Sequence, residues 1–198
     1  MRSGTPSKKP NSVGLFAGVD QAIHSVFGLE SGKHLRQIST ARKIACNPVR
    51  SADLVSLVRK TFELVQKSFE LASANRGDRK PSRENWRWEC RTDISPKSDS
   101  AEVILERAVA ILTKQKHLQG WCNQIPVASG LINENVNKRS AVDLAKITDV
   151  RLDLYELKVK SDNPVFAAFE ILQYGLAYLL CRVERRKLGY ADYHTMKV

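Results

Sequence analysis

Two neighbouring stretches decide the fold: Ser140-Ala141-Val142-Asp143-Leu144-Ala145-Lys146-Ile147 and Leu152-Asp153-Leu154-Tyr155-Glu156-Leu157-Lys158-Val159-Lys160. Both are short, largely apolar runs. Thr148-Asp149-Val150-Arg151 between them has the length of a hairpin connection, so they read as adjacent antiparallel strands. Side chains alternate along a strand, which puts Glu156, Lys158 and Lys160 on one face and Tyr155, Leu157 and Val159 on the other. An acid and a base on one face of an apolar strand break the pattern of a good core, and such breaks concentrate at functional sites. Asp143 interrupts the preceding strand in the same way. Across the turn it is expected to lie near Glu156 and Lys158.

Working outward, Cys122 to Ala128 reads as a further strand, closed by the Ser129-Gly130 turn and followed by a polar loop over 133–139. Asp99-Ser100-Ala101-Glu102 has the form of a helix start with an acidic cap. That helix is expected to run to about Gln115, with Val103, Leu105, Val109 and Leu112 among its apolar positions. Asp162-Asn163-Pro164 opens a second helix that reaches about Lys187, since Asn suits the cap and Pro the first turn. The order helix, strand, strand, strand, helix belongs to the α/β (α+β) classes. Upstream, Ser51 to Ala74 is amphipathic, with Leu54, Val55, Val58, Phe62, Val65 and Phe69 at helical spacing and Arg59, Lys60 and Lys67 opposite. Asn85-Trp86-Arg87-Trp88-Glu89-Cys90-Arg91 alternates aromatic and basic residues. It reads as a short strand with its Trp side packed inward, ahead of a base-stacking strip. The chain therefore divides into a disordered basic tail (1–12), a helical N-terminal extension (13–90) and an α/β domain (91–198).

Across 198 residues the net charge is +11, with 42% hydrophobic and 27% charged residues. The charge is uneven: residues 1–90 hold 16 Lys+Arg against 8 Asp+Glu, and residues 91–198 hold 16 against 13. Clustered basic residues favour a polyanionic partner through release of phosphate counterions. The four cysteines follow no metal-ligand or disulfide spacing, which points to a reducing, cytoplasmic setting. Pro164 to Val183 has the length of a membrane span. Glu170 and Gln173 sit mid-segment, however, and a carboxylate at the bilayer centre costs about 2.5 kcal/mol or more. A buried helix accounts for the segment, and no membrane association is expected.

Two carboxylates brought together at the end of a hairpin repel each other unless a cation sits between them. Oxygen-only ligands favour a hard divalent ion, and Mg²⁺ commonly takes one or two carboxylates with waters and phosphate oxygens. A lysine beside them stabilises charge developing on a phosphoryl group. This is the equipment of phosphodiester hydrolysis.

On Leu105-Glu106, Gln124-Ile125-Pro126-Val127, Val142-Asp143-Leu144, Tyr155-Glu156-Leu157-Lys158 and Phe169-Glu170-Ile171-Leu172-Gln173-Tyr174, residues of about Ser98 to Leu180 resemble the PD-(D/E)xK nuclease superfamily. The resemblance implies a restriction-endonuclease-like core of helix, three-stranded meander and helix. It further implies that Asp143 and Glu156 are metal ligands for Mg²⁺ (or Mn²⁺), that Lys158 is the catalytic lysine, and that Glu106 is an additional acid near the metal. Related nucleases often carry Gln-x-x-x-Tyr on the second helix. Here Glu170 stands in the Gln position, with Tyr174 in place. Tyr174, Lys160 and the loop residues Lys138 and Arg139 are the candidates for contact with nucleic acid. The function implied is an Mg²⁺-dependent endo- or exodeoxyribonuclease, with DNA favoured over RNA by family habit alone. The alternative is a catalytically weak module on the same fold that binds nucleic acid or, through its N-terminal helices, a protein partner or a second copy.

Overall fold

The hairpin named above sits in a three-stranded antiparallel sheet of order β1-β2-β3, built from β1 (Trp121–Pro126), β2 (Ala141–Ile147) and β3 (Leu152–Tyr155). The computed structural model describes residues 14–29, 38–46, 50–74, 81–82, 84–93, 100–132, 140–149, 151–159 and 164–189. The helices are α1 (Val19–Val26), α2 (Ile38–Ala45), α3 (Ser51–Ala74), α4 (Ala101–Gln115), α5 (Pro164–Val183) and α6 (Arg185–Leu188). The architecture is α+β, with α4 against β1 and α5 against β2, β3, α2 and α3. Lys138, Arg139 and Lys160 lie outside the described residues, as do the tail 1–12 and the proposed cap Asp99.

Register explains the site. Cys122 faces Ala145 and Ile125 faces Val142 across β1 and β2, while Leu144 faces Tyr155 across β2 and β3. The β2–β3 turn closes through Thr148 N–H to the Arg151 carbonyl at 2.9 Å and Arg151 N–H to Thr148 Oγ1 at 3.1 Å. At the α4 end, Gly120 enters β1 with φ 79°, and its carbonyl accepts from Ile147 N–H at 2.8 Å. A Cβ there would clash with the Ile147 backbone oxygen, so only glycine fits.

Several expectations need correcting. β3 stops at Tyr155 instead of running to Lys160, because the Leu157 N–H leaves the ladder for the Asp143 carboxylate. Strand β1 spans Trp121–Pro126, one residue earlier than expected at its start and two at its end. Residues 85–91 form no strand. Trp86 has φ 59°, and the backbone bonds from Trp86 N–H to the Pro126 carbonyl and from Asn123 N–H to the Glu89 carbonyl form no ladder; side-chain bonds of Asn85 with Ser129 and of Asn123 with Arg91 hold the segment beside β1. The inward packing holds: Trp86 is buried and meets Tyr178 edge to face at 5.1 Å. The last helix breaks at Glu184 into α5 and α6.

The buried faces of two helices coincide only in part with the apolar positions seen in the sequence, Val65 and Phe69 of α3 being buried and Phe62 packed against the core as expected. In α3 the inward stripe is Leu57, Thr61, Val65, Ser68 and Phe69, while Leu54, Val55 and Val58 are exposed. In α4 the buried residues are Glu106, Arg107, Ala110 and Thr113, and Leu105 and Leu112 point outward. Helical spacing gives the period of a stripe, and the partner decides which stripe is covered. For α4 the partner is β1, whose Asn123 and Gln124 offer polar groups.

One hydrophobic cluster runs through both sides of residue 90. Leu15, Val19, Ile23, Phe27, Val65 and Phe69 join Ile125, Val142, Phe169 and Ala177, with Phe27 edge-on to Phe169 at 5.9 Å. Helix α5 is long and apolar enough to cross a membrane, yet Phe169, Tyr174, Leu176, Ala177, Tyr178, Leu180 and Cys181 are buried within the protein.

Candidate active site

The site forms where β2 and the end of β3 lie side by side beneath α5. Asp143 Oδ2 accepts the Leu157 N–H at 2.7 Å, which fixes the chain just past β3 and holds Glu156 and Lys158 next to it. The register that sets Leu144 opposite Tyr155 carries Asp143 opposite Glu156. Lys158 Nζ lies 2.8 Å from Glu156 Oε1, 3.0 Å from Glu170 Oε2 on α5 and 3.9 Å from Glu102 Oε1 on α4. One ammonium thus ties three elements together. Its other neighbour is the Phe166 ring, 6.0 Å away.

Burial sets the electrostatics. It raises the Asp143 carboxyl above the usual range; the Leu157 N–H and the Lys158 charge oppose that shift, and Glu170 reinforces it. Glu156 is pushed up to about 7, first by burial, then by the negative charges of Asp143 and Glu170, against the pull of Lys158. For Lys158, burial alone would lower the pKa. Its hydrogen bonds to Glu156 and Glu170 outweigh burial and hold the ammonium above its usual range. Glu156 Oε2 is buried with no hydrogen-bond partner among the described residues.

Glu106 is placed differently from the other acids. It is almost completely buried, accepting from Asn123 Nδ2 at 2.7 Å and lying 3.2 Å from Arg107 Nη1. Burial raises its pKa, Arg107 and Asn123 lower it, and the charge on Asp143 raises it again. Glu106 therefore senses the site from within an α4–β1 network. Arg107 extends that network to Gln124 Oε1 at 2.7 Å and to the Arg91 carbonyl at 3.1 Å. Gln124 carries φ 46° and lies opposite Asp143 in the β1–β2 register. Arg107 did not stand out in the sequence and Gln124 did so only within the Gln124–Val127 stretch, although a Glu-Arg pair inside an apolar helix was a signal that it meets another polar element.

Tyr174 is buried, with its ring 6.4 Å from that of Phe16, and it shares with Glu170 the lining of a cleft of about 390 Å³. The sequence-predicted residues Asp143, Glu156 and Lys158 are brought together, and Glu102 and Glu170 join them.

The donor set suits a hard divalent cation. Asp143 and Glu156 offer only oxygen, one Glu156 oxygen lacks a partner among the described residues, and burial pushes both carboxyls up despite the nearby Lys158 charge. Among the described residues no group of three His, Cys, Asp or Glu converges as a ready metal cage. A two-carboxylate site completed by waters and phosphate does not require one.

No family model matches the chain, and no curated protein and no solved structure matches it.

Proposed function

We propose that the chain is a divalent-metal-dependent nuclease of PD-(D/E)xK type that hydrolyses phosphodiester bonds in DNA, on a restriction-endonuclease-like core formed by α4, β1–β3 and α5. The observation that carries this reading is the convergence of Asp143 and the Glu156–Lys158 pair through the Leu157 N–H bond. Asp143 and Glu156 would hold Mg²⁺ or Mn²⁺, which when bound supplies an activated water and neutralises the leaving oxygen. Glu170 and Glu156 keep Lys158 charged and fix its position, so that the ammonium can meet negative charge developing on a phosphoryl group. The Leu157 N–H orients Asp143 and leaves its second oxygen for other partners. The basic surplus of residues 1–90 attracts the polyanion.

A specific observation favours a second reading, a catalytically weak binding module. Glu170 pairs with Lys158 where related nucleases often carry Gln, and that pairing competes with phosphate for the ammonium. Leu54, Val55 and Val58, exposed on α3, are then the surface for a protein partner or a second copy.

A cleavage assay with Mg²⁺ or Mn²⁺ on linear, circular, single-stranded and flapped DNA separates the two readings. Cleavage by the parent that is lost in Lys158→Ala and Asp143→Asn with binding retained supports the nuclease. Absence of cleavage on all four substrates, with binding intact, supports the module. A cytoplasmic location belongs to the same proposal and rests on four cysteines scattered without metal-ligand or disulfide spacing.

A further inference from the structure

The cleft beside the carboxylate cluster is walled on one side by the N-terminal segment, through Phe16, Asp20 and Gln21, and on the other by α5, through Phe166, Glu170 and Gln173. Its volume of about 390 Å³ falls within the range of small-ligand sites. Among the described residues the lining contains two carboxylates, two side-chain amides, two hydroxyls and three aromatic rings, and no lysine or arginine. That composition selects among occupants. A phosphate would meet the Asp20 and Glu170 carboxylates, and the Lys158 ammonium 3.0 Å from Glu170 is already shared with Glu156. A planar ring system bearing an exocyclic amine suits these walls: the rings offer apolar faces, and the carboxylates and amide oxygens accept from both amine N–H groups.

We propose that this cleft receives an unpaired nucleobase with an exocyclic amine, such as cytosine or guanine, next to the scissile phosphate. The identity of the ligand as part of a DNA strand rests on the nuclease reading. A base in a duplex has its Watson–Crick edge engaged, so the cleft selects single-stranded, flapped or extruded bases. Thymine offers no amine and is the weaker occupant. Glu170 connects the cleft to the chemistry, because it lines the cleft and also holds Lys158 at 3.0 Å. An amine taken up by Glu170 competes with that ion pair and leaves more of the ammonium for phosphate. Base occupancy and Lys158 availability are thereby coupled. The residues 14–21 are then a wall of the substrate site, which gives the N-terminal segment a role beyond helix packing.

The test is fluorescence anisotropy with labelled dC12, dT12 and dT12 carrying a single central dG, in EDTA so that nothing is cut. The full chain is compared with Asp20→Asn, a substitution of equal shape outside the proposed metal ligands. The parent is expected to bind dC12 and the dG-containing strand about tenfold tighter than dT12. Asp20→Asn brings them close to dT12, with the thermal midpoint unchanged. Phe16→Leu, which keeps apolar volume and removes the ring, weakens all three strands. Equal binding of dC12 and dT12 by the parent, insensitivity to Asp20→Asn, or no binding of any strand overturns the proposal. Adding Mg²⁺ to the same strands separates it from the nuclease reading. Cleavage without base preference defeats the cleft alone, and base-selective binding without cleavage supports the cleft while defeating the nuclease.

Discussion

The backbone N–H of Leu157 donates to the side chain of Asp143, 2.7 Å away across two strands, and this bond both ends β3 and assembles the candidate site. A strand that continued pairing would spend the Leu157 N–H on a backbone carbonyl. Its capture by a carboxylate turns a ladder position into a positioning bond.

That bond predicts the behaviour of Asp143→Asn. The amide oxygen still accepts from Leu157, so the fold is retained, while the negative charge needed for a cation is gone. Metal-free stability is expected to match or exceed that of the parent, since a buried carboxyl with a raised pKa has been removed. The parent should gain about 1.4 kcal/mol from Mg²⁺ at ten times its dissociation constant, and the variant almost none. Thermal melts with and without Mg²⁺ check this. Equal metal-induced shifts in both proteins would remove Asp143 from the metal site.

Glu156 sets a pH dependence. Its folded pKa of about 7 exceeds the ordinary 4.5, so between these values the folded state binds more protons than the unfolded state. Stability without metal is therefore full below about pH 4.5 and declines as pH rises through about 7. Asp143 and Glu106, also raised by burial, add to the same trend. The decline from Glu156 is on the order of 3 kcal/mol, at about 1.4 kcal/mol per unit of pKa displacement. Because a divalent ion competes with these protons, Mg²⁺ affinity should rise across the same window. Denaturant midpoints at pH 5 and pH 8 should differ in the parent and converge in Glu156→Gln. A parent midpoint that rises with pH over this range would contradict the assignment.

How far all this was legible depends on locality. The hairpin was readable because alternation and turn length are local, and Asp143, Glu156 and Lys158 were found because each breaks an apolar run. The end of β3 was not readable, since it depends on which acceptor the Leu157 N–H meets in a neighbouring strand. The covered face of α4 was not readable for a similar reason. Its leucines have the right spacing, yet the residues turned inward are Glu106 and Arg107, and only Asn123 and Gln124 on β1 make that affordable. The αL conformation of Gln124 inside a strand has no signature in residues 121–126. Glu170 looked like a departure from a motif and turns out to be a close ion-pair partner of Lys158.

Removing Lys158 should cost stability as well as activity. In Lys158→Met the partly buried Glu156 and Glu170 face each other without the ammonium, and loss of one member of such a group destabilises by about 2–4 kcal/mol, below the figure for a fully buried pair. The loss should be large at pH 8 and small at pH 5, where Glu156 is protonated, and Mg²⁺ should restore part of it. A loss of equal size at both pH values, untouched by Mg²⁺, would show that the methylene stem matters more than the charge.

Gly120→Ala tests the sheet geometry independently of the site. The substitution demands φ 79° of an L-residue and drives its Cβ into the Ile147 backbone oxygen, so β1 must shift against β2. A destabilisation of about 2 kcal/mol or more is expected in urea unfolding. A change under about 0.5 kcal/mol, the range of ordinary surface substitutions, would mean that the β1–β2 register differs from the one described.

The Glu106–Arg107 pair offers the sharpest separation of scaffold from chemistry. Arg107→Met strands the buried Glu106 charge and breaks the bonds to Gln124 and the Arg91 carbonyl, so a loss of about 3–5 kcal/mol follows. Glu106→Gln keeps an acceptor for Asn123 Nδ2, removes the charge that interacts with Asp143 and costs less. In the double variant no unpaired charge remains. It should therefore be more stable than Arg107→Met alone, giving a coupling energy of about 1–3 kcal/mol in a double-mutant cycle. If Glu106 acts only through this network, Glu106→Gln keeps Mg²⁺-dependent cleavage within about tenfold of the parent. A deeper loss of cleavage at unchanged stability would place Glu106 on the metal.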